Sequence, residues 1–76
     1  MARYDLEMDL SGLEAPMHLL RARKAMEAMS AGQTLHVITT EFESAPEFET
    51  LARHTGGVLL GKQVTRDRLH FVLRKN

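Results

Sequence analysis

The stretch that most constrains the fold runs from Asp9 to His18, where a strand-like pattern gives way to a helix-like one. Before it, residues 4 to 10 alternate apolar with charged side chains, which predicts a strand with one solvent-facing side. Gly12 supplies a backbone conformation that a side chain would resist. Pro16 suits the first helical position, because its missing N–H would have no intrahelical partner there. The sequence therefore predicts a strand, a glycine turn and a helix.

The residue before that proline is expected to cap the helix, and it is Ala15. Alanine accepts no hydrogen bond from the free amides of the first turn, at a cost of about 0.5–2 kcal/mol relative to Ser or Asp. His18, three residues on, does not complete a capping box. The residue at position 15 is therefore not one that stabilises the start of a helix. We call the stretch from Asp9 to His18 the corner, and it contains two carboxylates, Asp9 and Glu14. We expect Asp9 to bond backbone amides of the turn.

The rest of the chain reads as one domain, residues 1–76, with further helices and strands in alternation. A helix from Pro16 to Met29 turns its apolar positions inward, and a second runs from a Ser44 cap, with Glu47 completing a capping box, to Gly56. Strands are predicted at Thr34 to Thr40, Val58 to Val64 and Leu69 to Arg74. The order βαβαββ predicts an α/β (α+β) two-layer sandwich, with two helices on one face of a four-stranded mixed sheet. The inward positions are Leu19, Ala22, Met26 and Met29 in the first helix and Phe48, Leu51 and Ala52 in the second.

The corner resembles the signature D-x-x-G-x-x-C-P-x-P of the TusA/SirA/YedF family of small sulfur-carrier proteins. Asp9, Gly12 and Pro16 match it, whereas the cysteine of the signature falls on Ala15 and its last proline on His18. The likeness extends through residues 20–25, 35–40, 48–56 and 71–75. The resemblance implies the same two-layer fold.

Members of that family accept a persulfide sulfur from a cysteine desulfurase on the signature cysteine and pass it on, toward tRNA thiolation or into sulfur oxidation. A thiol at a helix N-terminus suits this role, because amides and the helix dipole favour its anion. The present chain has no cysteine, so covalent sulfur carriage as written is excluded. Either it is a non-covalent adaptor or regulator, or it is a genuine carrier whose cysteine at position 15 was replaced by alanine. His18 favours natural loss, since a single engineered change would leave the proline in place.

Met17 and Leu20 fall on the charged side of the first helix, beside Arg21 and Lys24. They are either scattered surface residues or a docking site for relay proteins such as a cysteine desulfurase or a downstream sulfur acceptor. His18 has two interpretations as well. It fills the space of a proline, or it holds an anion together with free amides of the first turn.

Other function classes find little support. No phosphate loop or nucleophile elbow is present, so no independent catalysis and no cofactor are expected. The four histidines match no zinc spacing, and His36 and His70 meet only if their strands are neighbours, so no metal site is expected. Zero net charge and few aromatic residues argue against nucleic acid, although an RNA-binding module remains the second alternative because of the basic residues in the final hairpin. These are Lys62, Arg66, Arg68, Arg74 and Lys75.

The sequence lacks a long apolar run, and its first five residues lack a signal-peptide core. We therefore expect a cytoplasmic monomer that does not contact membranes.

Overall fold

The computed structural model describes residues 4–76 and places two helices on one face of a four-stranded sheet. The expected order βαβαββ is confirmed. The strands are β1 (Leu6–Asp9), β2 (Thr34–Thr39), β3 (Gly57–Thr65) and β4 (Arg68–Lys75), and the helices are α1 (Met17–Ala28) and α2 (Ala45–His54), the latter preceded by a 3-10 turn (Phe42–Ser44). Residues 1–3, on which the signal-peptide expectation partly rests, lie outside the described residues.

The sheet is mixed, with the spatial order β1-β2-β4-β3. The pairing of β1 with β2 is parallel, and the other two pairings are antiparallel. Helix α1 makes the crossover that a parallel pair needs. The inner strand β2 alternates strictly, so Leu35, Val37 and Thr39 are buried beneath the helices while His36 and Ile38 lie on the other face of the sheet. We call that other face the open face.

The core lies between the sheet and the helices, and its centre is a pair of phenylalanines. The rings of Phe48 from α2 and Phe71 from β4 are stacked with centroids 4.4 Å apart, and both are fully buried. The predicted inward positions of α1 and α2 are buried, except that Leu19 is only partly buried. Leu69, Phe71 and Leu73 of β4 complete this layer.

Helix α1 begins one residue later than predicted. Pro16, with φ −94° and ψ 6°, precedes the helix, and Met17 is its first residue. The Met17 amide donates to the Glu14 carbonyl at 2.9 Å, which closes a turn at the start of the helix. The prediction that Ala15 caps the helix was therefore wrong.

The start of α2 also differs from the prediction. Ser44 does precede the helix, but its hydroxyl donates backward to the Glu41 carbonyl at 2.7 Å and makes no bond to the first turn of α2 within residues 4–76. The predicted capping box with Glu47 does not form, because the 3-10 turn engages the serine first. Strand β1 is shorter than predicted, and β3 and β4 each extend one residue further at both ends.

The longer helix is α1, with 12 residues. No helix in the part of the chain that the structure describes combines the length and apolar character that a membrane crossing requires.

Two glycines of β3 provide a matched test of the packing between sheet and α1. A Cβ at Gly57 would overlap the backbone carbonyl oxygen of Arg74 and lie 2.7 Å from Met26 Cε. At Gly61 no described atom lies within 4 Å of a Cβ. We expect Gly57→Ala to lower the free energy of unfolding by about 1–3 kcal/mol through overpacking. We expect Gly61→Ala to leave it unchanged or raise it by about 0.5–1 kcal/mol. Urea unfolding of both variants measures the difference, and equal effects would contradict this account.

Candidate functional site at the β1–α1 corner

The loop of the corner, residues 10–16, lies between β1 and α1, and parallel pairing places it beside the end of β2. The Leu10 amide donates to the Ile38 carbonyl at 2.7 Å, which continues the β1–β2 pairing beyond β1. Leu10 itself is buried. The loop therefore leaves the sheet next to the segment that follows β2, residues 40 and 41.

The backbone amides of the corner are held by acceptors from both segments. Ser11 N–H donates to Asp9 Oδ1 at 3.0 Å, as predicted for the turn, and Gly12 N–H donates to Thr40 Oγ1 at 3.0 Å. Gly12 has φ +85°, a conformation that side chains disfavour. The Ala15 amide donates to Glu41 Oε1 at 3.4 Å. The loop is therefore held by hydrogen bonds to Asp9, which precedes it in the chain, and to Thr40 and Glu41, which follow β2.

Asp9 is the carboxylate of this corner whose ionisation is shifted. Ser11, whose backbone N–H donates to the carboxylate, holds the pKa of the Asp9 carboxyl below its ordinary value, and the charge of Arg68 acts in the same direction. The charged form of Asp9 is therefore favoured in the folded protein.

Ala15 is exposed at the end of the loop, and Glu14 and Pro16 beside it are exposed too. The amides of Met17 and His18 both donate to the Glu14 carbonyl, at 2.9 and 3.4 Å. Together with the Ala15–Glu41 contact, this gives acceptors to the amides of residues 15, 17 and 18. An anion at position 15 would have to compete with them.

His18 does not point toward the corner surface. Its ring is fully buried, with its centroid 5.7 Å from that of Phe48 at an interplanar angle of 66°. Neither ring nitrogen has a hydrogen-bond partner among residues 4–76. Positioned in this way, His18 is a core residue, and its ring does not contribute to an anion site at the surface. The sequence signal for this burial was helical spacing, because His18 lies four residues before Ala22 and eight residues before Met26.

The four residues considered for partner docking surround one shallow depression on α1. Met17, Leu20, Arg21 and Lys24 line it, and we call this set the α1 surface. Met17 is 46% exposed and Leu20 is 50% exposed. Leu20 also borders a groove between the two helices, together with residues such as Pro16 and Leu51. Leu20 therefore lies between two depressions and is the central apolar residue of this side of the molecule.

Comparison with known proteins identifies the family of this chain. The model of the family described as sulfurtransferase TusA matches residues 6–75. The chain belongs to the TusA family. It is 42% identical to the sulfur carrier protein TusA of Allochromatium vinosum over 76 residues, which is 100% of both chains. It is also 42% identical over 53 residues to a putative sulfur carrier protein of Neisseria meningitidis, covering 70% of this chain and 72% of that one.

The TusA-family fold is also found in a solved structure. A SirA-like protein from Desulfitobacterium hafniense superimposes with a TM-score of 0.71, covering 91% of this chain and 95% of that chain at 21% identity. At that identity the likeness shows the fold alone.

Sequence reasoning did not assign a role to Glu41, the residue across from Ala15. No local pattern in the sequence showed that its carboxylate reaches the amide of residue 15, because the contact joins residues 26 positions apart.

The shifted ionisation of Asp9 predicts a pH-dependent contribution to stability. Because the folded-state pKa is lowered, the contribution is present above the unfolded-state pKa and is lost as pH falls through the folded-state pKa. We expect Asp9→Ala to lower the free energy of unfolding at pH 7, and we expect the difference from the native chain to shrink as the pH is lowered below the ordinary range of aspartate. Urea unfolding over a pH series measures this. A difference that stays constant in acid would contradict it.

Proposed function

We propose that this TusA-family chain is a non-covalent adaptor or regulator in sulfur trafficking, which binds relay proteins without carrying sulfur itself. The observation that carries the proposal is the residue at the corner. Position 15, where the family signature has its cysteine, is an exposed alanine, and the chain contains no cysteine elsewhere. An alanine methyl group forms no persulfide, so the corner retains the shape of a carrier without the acceptor atom.

The α1 surface supports the second part of the proposal, the binding of relay proteins. Its exposed apolar centre, Met17 and Leu20, adjoins the bases Arg21 and Lys24. Apolar centres with charged rims are typical of protein interfaces. The partners it would bind are relay proteins, such as a cysteine desulfurase or a downstream sulfur acceptor, and the bases favour an acidic site on them.

The docking prediction uses two leucines that are both 50% exposed, Leu20 on α1 and Leu60 on β3. We expect Leu20→Glu to weaken binding to the cysteine desulfurase of the same organism by about 10-fold or more, because it puts a charge at the centre of the contact. Leu60→Glu is the control and should bind as the native chain does. Surface-immobilised desulfurase with each variant in solution gives the dissociation constants. Equal affinity of the two variants would exclude the α1 surface as the docking site.

A persulfide-loading experiment separates the adaptor from a carrier whose cysteine was replaced. The chain and Ala15→Cys are each incubated with a cysteine desulfurase and cysteine, and intact mass reports added sulfur. We expect no sulfur on the chain and little on Ala15→Cys, because a chain that no longer performs transfer need not keep the surroundings that activate a thiol. Rapid loading of Ala15→Cys would favour the carrier alternative.

A further inference from the structure

Polar side chains on the open face form a chain of hydrogen bonds that crosses all four strands. Glu7 Oε1 on β1 lies 3.0 Å from His36 Nδ1 on β2, and His36 Nε2 lies 2.9 Å from His70 Nδ1 on β4. His70 Nε2 lies 2.6 Å from Thr65 Oγ1 on β3. The two rings are 19° from parallel with centroids 5.2 Å apart, so they meet edge to edge. The contact between them is therefore an N–H···N hydrogen bond, which joins β2 to β4.

The direction of each hydrogen bond follows from Glu7, at one end of the chain. Its carboxylate only accepts, so His36 Nδ1 carries a hydrogen, and Nε2 of the neutral ring keeps its lone pair. His70 Nδ1 then donates to His36 Nε2, which leaves His70 Nε2 as the acceptor of the Thr65 O–H. Both neutral histidines therefore carry their hydrogen on Nδ1, and the bonds run in one direction from Thr65 to Glu7.

This chain of bonds accommodates one added proton without a change of geometry. The proton enters at His70 Nε2, and the Thr65 hydroxyl, which can both donate and accept, turns to accept from it. The bond between the rings and the bond to Glu7 stay as they are. The added charge is stabilised, because each outer N–H of the pair then faces an oxygen and one of these oxygens is a carboxylate. All the contacts of the neutral chain of bonds therefore persist.

A second added proton breaks the bond between the rings. With three hydrogens on the four ring nitrogens, the only lone pair left is the one that accepts between the two histidines. A hydrogen there turns His36 Nε2 and His70 Nδ1 into two donors 2.9 Å apart, whose hydrogens lie only about 1 Å from each other. The like charges of the rings oppose this state as well. The rings therefore separate when both are charged, whereas the backbone pairing of β2 with β4 does not require their contact.

Charges of both signs surround the pair. They come from β1 and the residues before it, from β4 and from the turn between β3 and β4, whereas Gln63, which pairs with His70 on β3, is neutral. The charged groups are Asp5, Glu7 and Asp9 on the β1 side, Arg66 and Asp67 in the turn, and Arg68 and Arg74 on β4. Among residues 4–76, Glu7 alone of these groups contacts a ring nitrogen of the pair. The hydrogen bonds therefore decide where the pair holds its protons.

We propose that the His36–His70 pair is a proton-operated clasp on the open face, closed while it holds no added proton or one, and open when it holds two. Histidine is the residue type that proteins commonly use in pH-sensitive switches. Opening replaces an internally bonded pair of rings with two separate imidazolium groups on β2 and β4. The core is not disturbed, because neighbouring residues of each strand point to the opposite face. The clasp lies opposite the helices, so it does not rest on the function proposed for the α1 surface.

The test is an NMR titration of the ring nitrogens, detected through the carbon-bound ring hydrogens, from about pH 8 to about pH 4.5. We expect both neutral rings to carry their hydrogen on Nδ1. The first proton should appear at His70 Nε2 with cross-peaks between the two rings retained, and the second should remove those cross-peaks. The two proton-binding constants should differ by at least about 10-fold beyond the statistical ratio for two independent sites.

Variants of the pair and of Thr65 separate the clasp from two unconnected histidines. His36→Gln and His70→Gln, whose folding amide spectra verify, should each leave the remaining ring with a single protonation step. Thr65→Val removes the oxygen that accepts from His70 Nε2 and should weaken binding of the first proton several-fold, whereas Thr65→Ser keeps the hydroxyl and should match the native chain. His54, exposed at the end of α2, is the control within each sample and should titrate in one unchanged step.

Four results would each overturn the proposal. The first is hydrogen on Nε2 of both neutral rings, and the second is a pair of independent protonation steps with the midpoints found in His36→Gln and His70→Gln. The third is the persistence of cross-peaks between the rings when both are charged. The fourth is equal binding of the first proton by Thr65→Val and Thr65→Ser.

Discussion

The strict alternation of β2 is the constraint on which the rest of the molecule depends. Leu35, Val37 and Thr39 are fully buried against the helices, so a shift of one residue would expose all three and bury His36 and Ile38 instead. With its register fixed, β2 aligns β1 in parallel on one side and β4 antiparallel on the other. The pairing with β1 places the β1–α1 corner next to Glu41, and the pairing with β4 places His70 next to His36.

At the corner, backbone amides that would favour an anion at position 15 are used by neighbouring oxygens. The amide of residue 15 donates to Glu41 Oε1, and the amides of Met17 and His18 donate to the Glu14 carbonyl. With Ala15 no thiolate is present to use those donors, so they stabilise the loop instead.

The elements that could be predicted from the sequence are those fixed by local periodicity. The alternation of β4 and the spacing of Phe48, Leu51 and Ala52 identified buried faces correctly because burial follows the period of the element. The cap predicted at Ala15 was wrong, and Ser44 holds its predicted position without the predicted capping bond, because each helix start depends on a preceding turn, closed by Glu14 and Glu41 respectively. The Glu41 contact and the His36–His70 pair join residues 26 and 34 positions apart, and their distances follow only from the sheet order.

The two faces of the sheet are chemically independent, although they are built from the same strands. Residues facing the helices are almost entirely apolar, and the partner surface lies on the outer side of α1. The open face instead holds the hydrogen-bonded chain from Glu7 to Thr65. Because neighbouring residues of a strand point to opposite faces, a substitution at His36 or His70 need not disturb Leu35, Val37 or Phe71. Chemistry on the open face can therefore change without affecting either the core or the surface that binds partners.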